Sequence, residues 1–118
     1  MIQSFPESDW QKLRKVRPNA LNRLCSRIIA EVETKCHFEK SSKSPHEAYL
    51  QIYKFVQDRD KIVAELFDDW RRSTVFFVLC GWLREALLTR TEFDTLSEDT
   101  QNSVAAFVNP KFFDEFKD

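Results

Sequence analysis

Apolar residues recur at helical spacing through most of the chain. Trp10, Leu13 and Val16 return every third position between Pro6 and Pro18, which predicts a short first helix with Ser8 or Asp9 as its cap. After Pro18, the series Leu21, Leu24, Cys25, Ile28, Ile29 and Val32 follows the i, i+3, i+4, i+7 rule and predicts an amphipathic second helix. Pro18 suits the start of that helix, because a first-turn residue has no use for its N–H.

A polar segment, His37 to Lys43, leads into Ser44-Pro45-His46-Glu47. Ser44 can cap a third helix and Glu47 can reach back to the cap. From His46 to Leu88 there is no proline and a single glycine, Gly81. Unbroken, that run would be about 65 Å long, roughly twice the width of a compact domain of this size. A break is therefore expected, at Gln57 to Asp60 or at Asp68 to Ser73. The piece from Trp70 to Leu88 is apolar on every side and predicts a central, surrounded helix, with Gly81 allowing one neighbour close to its backbone. Thr91 to Asp94 reads as a short helical turn. Ser97 before Glu98 and Asp99 suits a helix start, and Asn109-Pro110 ends the last apolar stripe. These elements predict an all-α fold: one helical bundle of five or six helices spanning residues 1–118, with Trp70 to Leu88 in the middle.

Composition narrows the function classes. The 118 residues include one glycine, which argues against the glycine-dependent phosphate loops, nucleotide-binding turns and tight hairpins. The formal net charge is -1, which favours no polyanionic partner overall. Cys25, Cys36 and Cys80 are an odd, widely spaced set and read as reduced thiols. Met1 to Pro6 shows no basic stretch followed by an apolar run, and Val75 to Leu83 is about half the length of a membrane span. A cytoplasmic, membrane-free setting is expected.

Three groups of residues are candidates for function. Lys12, Arg14, Lys15, Arg17, Arg23 and Arg27 lie in a stretch with no acidic residue between Asp9 and Glu31, a face that could meet nucleic-acid phosphates. The stretch from Thr91 to Asp118 has the opposite balance, with seven acidic residues against two lysines, so the two regions could instead pair. Phe112, Phe113 and Phe116 recur at helical spacing near the C-terminus and form a candidate protein-binding patch. Asp68, Asp69, Trp70, Arg71 and Arg72 form a candidate small-anion or ligand site, or else a set of local ion pairs.

No spacing matches a metal site: Cys36, His37 and His46 lack any paired-ligand pattern, and no cofactor is expected. Nor do the residues supply a nucleophile, base and oxyanion donor at recognisable spacing, so an enzyme is the less favoured class. The leading expectation is a small protein-interaction or regulatory module, self-associating or binding another protein. A nucleic-acid binder using the basic face is the alternative, and an enzyme or small-ligand domain the third.

Overall fold

The computed structural model describes residues 5–42 and 44–108. Across them the chain forms five helices and no strand: α1 (Glu7–Ser42), α2 (Pro45–Phe67), α3 (Val75–Arg84), α4 (Arg90–Asp94) and α5 (Glu98–Phe107). The all-α expectation holds, and none of these helices is long and apolar enough to cross a membrane.

The first two expected helices are one. α1 runs 36 residues straight through Pro18, contrary to the expectation that Pro18 begins a new helix. An internal proline costs about 3 kcal/mol. Leu13 and Leu24, on either side of it, are both fully buried in the same core, and each buried leucine contributes about 1.5–3 kcal/mol. Their common burial holds the helix in line, while Pro18 itself lies on the exposed side.

α2 starts where expected, with the Ser44 hydroxyl accepting from the Glu47 N–H at 3.3 Å. It passes through Gln57 to Asp60 without interruption, and Arg59 pairs there with Glu31 of α1 at 3.1 Å. The chain leaves the helix only after Phe67. Trp70 is then drawn out of helical path to stack between Trp10, at 4.9 Å, and Trp82, at 5.7 Å. Consequently the expected helix from Trp70 to Leu88 is shorter, Val75–Arg84, with Trp70 in the connection before it and Leu87 and Leu88 buried beyond its end. Seven of its ten residues are buried. Gly81 does admit a close neighbour: a Cβ there would lie 2.6 Å from the Leu66 side chain of α2. The Trp82 indole N–H also donates to the Leu66 carbonyl at 3.0 Å.

Two parts result. The N-terminal half of α1, the end of α2 and α3 to α5 form a base around Leu13, Leu24, Leu79, Trp82 and Val104. The remaining lengths of α1 and α2 leave the base as an antiparallel helical hairpin, the arm. The molecule is accordingly long, 54 × 28 × 22 Å, with a radius of gyration of 17.1 Å. A compact chain of this length would have about 13.5 Å.

Candidate functional site

α1 supplies the charged groups that finish the ends of the other helices. A helix C-terminus leaves carbonyls without partners and carries partial negative charge, and α2, α4 and α5 have no basic residue in their own last turns. Arg17 donates to the Phe67 carbonyl at the end of α2 and lies over the Trp70 ring at 5.2 Å. Lys12 donates to the Thr95 carbonyl past α4 at 2.5 Å. Beyond α3, Arg27 donates to the Glu85 and Ala86 carbonyls, at 2.6 and 3.2 Å, and Arg23 to that of Leu87 at 2.8 Å. At the end of α5 it is Arg84 of α3 that donates to the Phe107 carbonyl, at 3.3 Å.

Arg23 also forms a two-pronged pair with Glu92, at 2.6 and 3.0 Å. Burial pushes the Glu92 carboxyl up, but the Arg23 hydrogen bonds, the Thr89 N–H and the guanidinium charge outweigh it and hold the carboxyl below its ordinary range. Of the six residues in the basic stretch, Lys12, Arg17, Arg23 and Arg27 are thus engaged with the rest of the fold, while Arg14 and Lys15 stay exposed. The basic and acidic regions do meet, through Arg23 and Glu92.

The Asp68 to Arg72 group divides in the same way. Arg71 pairs with Asp69 at 2.6 Å and holds that carboxyl below its usual range. Arg72 reaches Glu7 at 3.0 Å and lies over the Trp10 ring at 5.2 Å. Trp70 is the middle ring of the tryptophan stack, and Asp68 is exposed at the end of α2. The group stitches the connection between α2 and α3 to the start of α1. Phe112, Phe113 and Phe116 lie outside the described residues. Among the described residues, Phe77 of α3 and Phe107 of α5 are both exposed and meet edge to face at 6.1 Å.

The arm carries what the basic stretch and the loop do not, an unpaired surface. On one flank, α1 and Phe55 of α2 line an open groove of about 570 Å³. Its charged groups are engaged within the chain: Arg27 by the Glu85 and Ala86 carbonyls, Glu31 by an ion pair with Arg59, and Lys35 by Glu39 at 3.3 Å and the Phe55 ring at 5.7 Å. Among the described residues, no convergent set of free donors is left there to orient a substrate.

The other flank is apolar. Tyr49 is 61% exposed, Tyr53 53% and Val56 41%. At 100° per residue they follow one another along one side of α2, and the two tyrosine rings stack at 6.2 Å. Across the hairpin, Ile29, Glu33, Cys36 and Lys40 occupy the matching side of α1 by the same spacing, and Ile29 is 59% exposed. Lys40, Tyr49 and Ile52 line one hollow at the tip, which places the two stripes on a common surface.

The periodicity of Tyr49, Ile52, Tyr53 and Val56 marks this stripe as an apolar helix face in the sequence, without revealing that it is uncovered. A signal was present. The stripe is wider than the seam of a two-helix hairpin, and among the described residues the helices after it are too short to reach over the arm.

The scan against protein-family models and the searches of curated proteins and of solved structures find no match to this chain.

Proposed function

We propose that this protein is a protein-interaction module, in which a capped helical base holds out a two-helix arm and the apolar flank of that arm receives the partner. The observation that carries this reading is the exposure of Ile29, Tyr49, Tyr53 and Val56 on two regular helices, away from the core. Contiguous apolar surface on a protein's exterior marks an interaction site, and tyrosine is among the residues that concentrate binding energy. The basic stretch is less suited to nucleic acid than its composition suggests, since four of its six side chains are engaged by carbonyls or by Glu92. The reading includes self-association and a cytoplasmic setting, in keeping with three free thiols.

The test compares tagged wild type with a Tyr49→Ser/Tyr53→Ser/Val56→Ser variant in pull-downs from lysate, with and without nuclease. Expected are an unchanged helical content by circular dichroism and the loss of the bound protein from the variant. Capture of the same set by both forms would refute the reading. Material recovered only without nuclease would move the function to the basic stretch.

A further inference from the structure

We infer that the arm's apolar flank is a self-complementary surface on which a second copy of this chain docks antiparallel, Glu33 of each copy against Lys40 of the other. The inference rests on the interaction reading above and names its partner.

The register of the hairpin comes first. Glu31 lies level with Arg59 and Lys35 with Phe55, and Lys40 shares the tip hollow with Tyr49. Each step along α1 is therefore matched by a step back along α2, and Cys36 and His37 fall level with Ile52 and Tyr53, to within about one residue's rise.

A two-fold axis crossing the arm at this level, lying in the plane of the interface, places α1 on its copy and α2 on its copy, each pair antiparallel. On α1 it brings Glu33 to Lys40 of the second copy, twice over, because a two-fold interface repeats every contact. On α2 it brings Tyr49 to Val56 and Ile52 to Tyr53. The charges of one helix and the apolar stripe of the other thus share a single centre, although nothing in the hairpin register requires them to. The α1 stripe, with one acid and one base about a common centre, matches itself better than it matches a partner of one sign.

The length of the arm fits as well. With the axis at this level, the second copy's tip, where its α1 ends at Ser42, reaches the level of Glu31. It stops before Arg27, where the base begins with the bonds to Glu85 and Ala86. The two arms overlap over the exposed stripe and the bases stay clear of each other. Ile29, near the inner end of the stripe, meets the second copy's turn at Pro45.

The test is sedimentation equilibrium on the full chain as wild type, Glu33→Lys, Lys40→Glu and the double variant, with circular dichroism to confirm that each is folded. Both positions lie outside the buried core, so folding is retained. The wild type should be a dimer, each single variant should dissociate about tenfold more readily or worse, since like charges then face each other, and the double variant should recover most of the loss. A short bis-maleimide should also link two wild-type copies through Cys36. A wild-type monomer at the highest soluble concentration overturns the inference, as does a dimer indifferent to both single changes. A double variant no better than the singles overturns the antiparallel pairing. If the wild type is monomeric and the serine variant nevertheless loses a captured protein, self-docking fails while the interaction module stands. A dimer that survives both the charge changes and the serine changes removes both readings of this flank.

Discussion

The carboxylate of Asp9, in the first turn of α1, accepts the hydroxyl of Thr100, in the first turn of α5, at 2.5 Å. The same carboxylate accepts the Ser97 N–H at 2.8 Å and the Ser97 hydroxyl at 2.6 Å, and Asp9 is fully buried. Residues nearly the whole described chain apart are joined by one side chain. Replacing Asp9 with Ala leaves the buried Thr100 hydroxyl and the half-buried Ser97 N–H and hydroxyl without this acceptor; hydrogen bonds to a charged group contribute about 1.5–3 kcal/mol each, offset in part because the two hydroxyls also bond to each other. Asp9→Ala should lower stability by about 2–4 kcal/mol in urea denaturation. Asp9→Asn, which retains one acceptor oxygen, should lose less. Equal stability of all three proteins would contradict the assigned role.

Ala86 closes α3 in a left-handed conformation, φ 55°. The Leu87 N–H returns to the Trp82 carbonyl at 2.9 Å and the Ala86 N–H to that of Leu83 at 3.1 Å, the bonding pattern that glycine most often completes. A side chain in this region costs about 1–2 kcal/mol. Part of any gain is lost to the freer unfolded chain, so Ala86→Gly should stabilise by about 0.5–1 kcal/mol. A lower melting temperature would show that the Ala86 methyl contributes something the backbone geometry does not.

Glu92 makes stability depend on acid. Its folded pKa lies below its ordinary value of 4.5, so its contribution is fully present above that value and is lost as pH falls through the folded pKa. Denaturation midpoints collected on acidification should drop in this window, and Glu92→Gln or Arg23→Gln should flatten that part of the curve. An unchanged pH profile in both variants would show that the Arg23–Glu92 pair does not contribute to it.

The base and the arm should respond oppositely to truncation. Leu24 and Leu79 are both fully buried, and Leu24→Ala or Leu79→Ala should each cost about 2–5 kcal/mol. Tyr53→Ser, on the arm's exposed flank, should change monomer stability by less than about 0.5 kcal/mol. A large loss at Tyr53 measured under dissociating conditions would mean that its side chain is part of the core.

Where one helix packs on its neighbour through a regular stripe, the sequence was sufficient: Leu24, Leu79, Ser44, Ser97 and the turn at Thr91 to Asp94 all occupy the roles their spacing implied. It failed where a distant contact overrode a local rule. Pro18 ends no helix because Leu13 and Leu24 share a core on either side of it. Trp70 belongs to no helix because its ring is taken by Trp10, far off in sequence, and by Trp82 of α3. The basic stretch looked like a surface because the carbonyls that receive it follow 50 to 83 residues later and leave no trace in side-chain composition. The apolar flank of the arm was visible as a helix face, but its exposure depends on how far the other described helices reach, which side-chain spacing does not record.

The way α1 finishes the other helices also constrains the order in which the protein can be made. Asp9 and Lys12 are translated before their partners, Thr95, Ser97 and Thr100, which follow some 80 to 90 residues later. Until then the first helix waits with its polar groups in water, and closing so long a loop precedes any return from the contacts it makes. The arm needs only neighbours in sequence and can zip up during synthesis. The arm is therefore able to close on contacts between neighbouring helices while the base that carries it still lacks α3 to α5.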